Sequence, residues 1–126
     1  NLLRITQARI DIGTDFNQLT GDDGTALGFM AHGGQGCISV SSNVAPRLCS
    51  QFQDACLRGD FKSAREMHDR LLPLHVNLFV EASPAPIKYA LSLLGKCSEE
   101  VRLPIVPLSD NARSIVRNSM ARAGLI

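Results

Sequence analysis

The sequence predicts an α/β fold in the first half of the chain and a helical second half, on three observations. Strand-like and helix-like segments alternate up to Gly59, a pattern typical of strands that pair in parallel. After Gly59 no strand-like alternation follows, and apolar residues recur with helical spacing. Hydrophobic residues make up 44% of the 126 residues and charged residues 20%, which is typical of a folded domain and excludes a disordered one.

The first half is predicted to contain three helices and two strands, delimited by glycine, proline and polar turn residues. In order these are a helix over 1–12, a strand over 16–20, a helix over 25–31, a strand over 36–40, and a helix that has Pro46 in its first turn and ends at Gly59. Two short parallel strands do not form a stable sheet, and both would expose unpaired edges. We therefore expect an incomplete chain whose residues 1–59 are the last segment of a larger barrel.

The second half is predicted to consist of three helices. The first carries an apolar stripe of Met67, Leu71, Leu74 and Leu78, most simply part of a core, with Pro73 as the expected position of a kink. The second starts at prolines 84 and 86 and runs to residue 95. Residues 101–108 contain two prolines and predict an extended connector. The third helix starts near residues 109–110, ends at 124, and is expected to bury its apolar face, namely Ala112, Ile115, Val116 and Met120.

Charge and hydropathy argue against two classes of partner. The formal net charge is +1, so no basic surface is available for nucleic acid or an anionic membrane. Arg113, Arg117 and Arg122 recur with a spacing that suits a solvated helix face. No apolar run approaches the ~20 residues of a membrane-spanning helix, and the chain opens without the pattern of a signal peptide.

Histidines and cysteines do not have the spacing of a metal site or a disulfide. His32, His68 and His75 lack metal-ligand spacing with one another and with the cysteines, so we expect packing or surface positions for them and no metal. Cys49 and Cys56 would lie roughly 10 Å apart on one helix face, too far to bridge. The four cysteines predict reduced, buried thiols in a cytoplasmic protein.

Two further clusters have a functional and a structural interpretation. Gly33, Gly34 and Gly36 precede a predicted strand, whereas the glycines of a phosphate-binding loop follow one, so the sequence favours a turn. Asp22 and Asp23 could form a paired-carboxylate site. A turn that places negative charge at a helix N-terminus is favoured over it, because aspartate prefers both positions.

Three segments carry a resemblance to a known family. They are 21–30 (GDDGTALGFM), 33–45 (GGQGCISVSSNVA) and 78–90 (LFVEASPAPIKYA). In this order and spacing the chain resembles 4-hydroxy-tetrahydrodipicolinate synthases of the bacterial lysine (diaminopimelate) pathway, and residues 102–104 and 123–125 match as well. The resemblance covers essentially the whole chain.

This resemblance implies a TIM (β/α)8 barrel, ending with residues 1–59, followed by an α-helical C-terminal domain over 60–126. It implies a lyase in which pyruvate forms a Schiff base with a lysine and then condenses with aspartate semialdehyde, without a cofactor. That lysine, and the family's proton-transfer tyrosine and carboxylate-binding arginine, are expected upstream of Asn1. No catalytic residue is therefore expected in this chain, and Lys62, Lys88 and Lys96 lie in the predicted helical region.

What the resemblance assigns to this chain is substrate lining. It implies that the main-chain carbonyl of Ile38 contacts the pyruvate-derived group and that the backbone at Gly21 lines the site, at the carboxyl ends of two barrel strands. A free carbonyl inside a strand requires a local break in the ladder. The resemblance also implies a cytoplasmic homo-oligomer, a dimer of dimers, with the helix over residues 1–12 near another subunit.

Two other hypotheses remain open at this point. The family often has other residues at Gln35, Cys37 and Ser83, which leaves room for another pyruvate-dependent class I aldolase such as an N-acetylneuraminate lyase. Residues 39–43 favour the synthase. The other hypothesis is a non-catalytic fragment that mediates association. As an isolated polypeptide the chain is expected to be poorly stable and inactive.

Overall fold

The structure is a computed structural model that describes residues 1–126. Six α-helices and two short strands follow in the order α1 (Leu3–Ile12), β1 (Leu19–Thr20), α2 (Ala26–Ala31), β2 (Gly36–Cys37), α3 (Pro46–Leu57), α4 (Phe61–Asn77), α5 (Ala85–Leu93) and α6 (Asp110–Ala123). Single 3-10 turns over Asp23–Thr25 and Ser41–Asn43 lead towards α2 and α3. None of the six helices combines the length and the apolar composition of a membrane span.

The two strands pair in parallel, as predicted, with Leu19 opposite Gly36 and Thr20 opposite Cys37. Each has two residues instead of the five predicted over 16–20 and 36–40, so the predicted strand lengths were wrong. At the end of β2 the reason is visible, because the main-chain N–H groups of Val40 and Ser41 donate to the carboxylate of Asp23 and leave the ladder. The chain then turns into the 3-10 turn that precedes α3.

Helix ends follow local capping chemistry. The side chain of Asp60 accepts a hydrogen bond from the N–H of Ser63 at the start of α4, and that of Ser109 accepts one from the N–H of Ala112 at the start of α6. Gly124 ends α6 with a φ of 72°, the left-handed conformation that favours glycine. Pro73 lies inside α4 without ending it.

One hydrophobic core joins the two halves of the chain. Its 19 buried residues come mainly from α2 to α6 and include Ala55 on one side of Gly59 and Leu71 and Leu74 on the other. Leu78 is buried as well, which confirms most of the predicted stripe on α4, with Met67 packed at its margin. The division into 1–59 and 60–126 stays a prediction.

Three details differ from the sequence predictions. Ile115 is only half-buried on α6, because the face that meets α4 and α5 is formed by Ala112, Val116 and Met120. The connector over 101–108 is not fully extended, since the N–H of Ile105 donates to the carbonyl of Arg102 across a turn. Two of the four cysteines are not buried as predicted: Cys97 is exposed, because it lies beyond the end of α5 and outside the core, and Cys37 at the end of β2 is half-buried.

Candidate functional site

The carboxyl ends of β1 and β2 lie side by side and place Gly21 next to Ile38. The N–H of Ile38 donates to the carbonyl of Thr20 at 2.8 Å, which continues the parallel ladder by one bond. Because Thr20 is paired with Cys37, the following residues, Gly21 and Ile38, emerge at the same edge of the sheet. The two residues predicted to line the site are therefore neighbours.

The main-chain carbonyl of Ile38 accepts no hydrogen bond within the chain. The hydrogen-bond ladder between β1 and β2 ends at Ile38, which provides the local break that a free carbonyl requires. The side chain of Ile38 is 72% exposed, and a Cβ placed on Gly21 would meet no atom within 4 Å. This edge therefore presents an unpaired acceptor beside open space, an arrangement that can receive a polar ligand.

Asp22 and Asp23 have different partners, which decides between the two interpretations of this pair. Asp22 is exposed and acts as an N-cap, because its carboxylate accepts from the N–H of Gly24 at 3.1 Å and from the hydroxyl of Thr25 at 2.7 Å. Asp23 is only 7% exposed and turns away, towards the residues after β2. The two carboxylates do not form a joint acid–base site, and the predicted turn is confirmed for Asp22.

The carboxylate of Asp23 connects three consecutive residues that follow Ile38. It accepts hydrogen bonds from the hydroxyl of Ser39, from the N–H of Val40 at 2.9 Å and from the N–H of Ser41 at 3.0 Å. Sequence reasoning missed this function, since these partners lie 16 to 18 positions away. No local pattern distinguishes Asp23 from Asp22.

A second buried contact ties the same segment to α4. Nδ1 of His75 lies 2.7 Å from the hydroxyl oxygen of Ser41, and both side chains are buried. Nε2 of His75 is buried and has no hydrogen-bond partner. Burial lowers the pKa of His75, while the negative charge of Asp23 opposes that shift. The imidazole is therefore a packed core side chain, as expected for this histidine.

Ser41, His75 and Asp23 are the residue types of a hydrolytic triad, but their arrangement excludes one. Ser41 is fully buried, and Asp23 contacts the main-chain N–H of Ser41 instead of the imidazole of His75. A nucleophilic serine needs an accessible hydroxyl and a carboxylate that orients the imidazole. The cluster is consequently an internal support for the segment after β2.

No lysine of the chain lies at the strand ends. Lys62 is on the first turn of α4, Lys88 is on α5, and Lys96 follows α5. The chain also holds no group of three His, Cys, Asp or Glu side chains positioned for a metal ion. Gly33 and Gly34 precede β2, at the opposite end of the sheet from Ile38. The strand-end site therefore offers main-chain groups and no lysine.

Two cavities border this region. A cavity of about 620 Å³ lies between α1 and β1 and reaches Gly21 and Asp22 at one end. A smaller one, of about 310 Å³, lies behind β2 and is lined by Asp23, Ser39 and His75. Ile38 lines neither cavity, and its side chain is exposed.

Comparison with known proteins decides the family. A model of the Dihydrodipicolinate synthetase family matches residues 1–123. The chain belongs to this family. The 4-hydroxy-tetrahydrodipicolinate synthase of Afipia carboxidovorans is 64% identical over 126 residues, which are 100% of this chain and 43% of that protein. The chain thus spans less than half the length of this curated relative.

Solved structures of the dihydrodipicolinate synthetase family have the same fold. The dihydrodipicolinate synthase of Aquifex aeolicus matches with a TM-score of 0.93 and 39% identity, over 99% of this chain and 43% of that one. A chloride-inhibited dihydrodipicolinate synthase of Acinetobacter baumannii, complexed with pyruvate, matches with a TM-score of 0.93 and 32% identity, over 100% of this chain and 43% of that one. The helices and the strand pair are therefore arranged as in these family members.

Proposed function

We propose that this chain is the C-terminal part of a 4-hydroxy-tetrahydrodipicolinate synthase, a lyase that condenses pyruvate with aspartate semialdehyde in lysine biosynthesis. In this proposal residues 1–59 complete a TIM barrel and residues 60–126 form a helical C-terminal domain. The 64% identity to a protein of that name supports the activity. The parallel strand pair supports the barrel, since the apolar Leu19 of β1 is 50% exposed and would be covered by further elements of a barrel.

The observation that carries the proposal is the free carbonyl of Ile38 beside Gly21. In TIM barrels the site lies at the carboxyl ends of the strands, and both residues lie at that end of the two strands of this chain. The Acinetobacter baumannii relative is complexed with pyruvate. The carbonyl of Ile38 is the group that contacts the pyruvate-derived part of the substrate, and the backbone at Gly21 forms the adjacent wall.

The nucleophile comes from the part of the protein that precedes this chain. Imine formation requires a lysine amine that is desolvated or lies close to another cation, so that a fraction of it is uncharged. Lys62 and Lys96 are exposed, and none of the three lysines is near the strand ends. This chain contributes main-chain groups that line the site, at Gly21 and Ile38, and the residues that pack against them.

The proposal is tested with the full-length protein by a condensation assay. Pyruvate and aspartate semialdehyde are supplied together, and the consumption of both is measured; the cleavage of N-acetylneuraminate is measured in parallel with the same protein. Condensation without cleavage supports the synthase. Cleavage of N-acetylneuraminate without condensation would contradict it and would identify another aldolase of the same mechanism.

The proposed enzyme is a cytoplasmic homo-oligomer, a dimer of dimers. Leu3, Ile10 and Ile12 on α1 are 75%, 72% and 68% exposed, and a helix with this much exposed apolar surface is stabilised by covering it. Four free cysteines fit a reducing compartment. Light scattering of the full-length protein at micromolar concentration tests the assembly, and a monomer contradicts it.

A further inference from the structure

We propose that Asp23 is a positioning residue for pyruvate, which acts by fixing the peptide group that carries the carbonyl of Ile38. This inference rests on the proposed function and deepens it, because it names the side chain that holds the substrate-facing carbonyl in place. Asp23 itself lies behind the strand, inside the protein, and does not line the open side of the site.

The structure surrounds Ile38 with groups that Asp23 holds. The preceding residue, Cys37, directs its thiol to the Asp23 carboxylate at 3.8 Å, and the following residue, Ser39, donates its hydroxyl to the same oxygen. The N–H of Ile38 is bound to the carbonyl of Thr20. Because both neighbours of Ile38 are fixed from behind and its own N–H is fixed by β1, the carbonyl has one preferred direction.

Further bonds lock the far side of this peptide group. The hydroxyl of Ser39 accepts from the N–H of Ser42 at 2.8 Å, and the carbonyl of Ser39 accepts from the hydroxyl of Ser42 at 2.9 Å. Asp23 adds its second oxygen, which accepts from the N–H groups of Val40 and Ser41. Without this carboxylate two main-chain donors lose their partner, and the segment is free to shift.

The arrangement is not explained by ordinary helix capping. Asp22 alone caps the 3-10 turn that begins at Asp23, through the N–H of Gly24. Asp23 makes no such bond and directs both oxygens towards the residues after β2, where it is nearly buried. A buried carboxylate is favourable only where several donors satisfy it, which is the case here. Its place in the fold is therefore set by the segment that carries Ile38.

The test compares Asp23→Ala and Asp23→Asn with Asp60→Ala, all in the full-length protein. Asp60 is a matched control, because its carboxylate also accepts from a main-chain N–H, that of Ser63, but lies at the surface far along the chain from β2. The measured quantities are KM for pyruvate, KM for aspartate semialdehyde and kcat. A loss of folded protein lowers kcat and leaves both KM values unchanged, so the split between them separates positioning from stability.

For Asp23→Ala we expect KM for pyruvate to rise about 10- to 100-fold, the order of effect expected when a hydrogen bond to the bound substrate is lost, with KM for the aldehyde little changed. Asp23→Asn is expected to recover part of this loss and to keep KM for pyruvate about two- to tenfold above the wild-type value. Its amide oxygen still accepts from the main chain and its NH₂ can donate to the hydroxyl of Ser39, but hydrogen bonds to a neutral amide are weaker than those to a carboxylate. Asp60→Ala is expected to keep the wild-type KM values.

The proposal is overturned if the wild-type protein is active and both Asp23 variants keep KM for pyruvate within about twofold of it. If Asp23→Ala does not fold, Asp23→Asn decides: a KM for pyruvate raised between two- and tenfold supports positioning, and an unchanged one refutes it. If the wild-type protein condenses no pyruvate, the proposed function and this inference are both refuted. An active wild-type protein whose Asp23 variants keep their KM refutes this inference alone.

Discussion

Removal of the Ser41 hydroxyl tests how strongly α4 is held to the segment after β2. Ser41 is fully buried, and its hydroxyl is the only hydrogen-bond partner of the imidazole of His75, whose Nε2 has none. Ser41→Ala therefore leaves a buried imidazole without any partner, which costs about 1–3 kcal/mol. At about 2–4 °C per kcal/mol for a protein of this size class, we expect the melting temperature to fall by about 2–12 °C.

A double-mutant cycle separates the interaction energy between Ser41 and His75 from the effect of losing either side chain alone. The variants are Ser41→Ala, His75→Leu and the two combined, and their melting temperatures are measured in the full-length protein near pH 8, where the imidazole is neutral. Replacing both partners by apolar groups leaves no unpaired polar atom. The loss of unfolding free energy in the double variant is therefore expected to be smaller than the sum of the two single losses by about 1–2 kcal/mol.

Ser114→Ala is the matched control for this cycle. The hydroxyl of Ser114 also donates a hydrogen bond, to the carbonyl of Asp110, but it lies on the exposed side of α6. We expect its effect to stay within about 0.5 kcal/mol. Strict additivity in the cycle, or an effect of Ser41→Ala no larger than that of Ser114→Ala, would refute the proposed role of the Ser41–His75 contact.

Two further outcomes follow from the titratable groups. Burial lowers the pKa of His75, so below pH 6.5 the unfolded chain binds a proton that the folded chain does not, and stability is full above that pH and falls below it. Melting temperatures measured from about pH 8 to about pH 5 should show this slope. It should be reduced in His75→Leu but kept in His32→Leu at an exposed position. Burial and the charge of Asp23 raise the pKa of Cys37 to about 12 and that of Cys49 to about 11. Since the thiolate is the reactive form, iodoacetamide should modify exposed Cys97 first, and peptide mass spectrometry that finds Cys37 or Cys49 modified faster would contradict this.

Helix boundaries could be predicted from the sequence because their causes are local. Pro46 in the first turn of α3, Ser109 at the start of α6 and Gly124 at its end act on residues within one turn, and the structure confirms all three. The family resemblance could be recognised from the order and spacing of three sequence motifs. The same resemblance predicted that Gly21 and Ile38 line one site. Parallel pairing then brings the two strand ends together.

Strand lengths and the buried support could not be predicted, because they depend on residues far apart in sequence. β2 ends early since Asp23, 17 positions before Val40, takes the N–H groups that would continue the ladder. The contact between Ser41 and His75 spans 34 positions. Adjacent aspartates give no local signal of which one turns inward. The difference between Asp22 and Asp23 arises only when α2 and β2 pack together.

The most direct test of the proposed function is the intact mass of the full-length protein after incubation with pyruvate and borohydride. Borohydride reduces a lysine–pyruvate imine to a stable amine, which records the intermediate as a mass increase. We predict one pyruvate-derived adduct per chain, located by peptide mapping on a lysine that precedes residues 1–126. No adduct, or an adduct on Lys62, Lys88 or Lys96, would contradict the account.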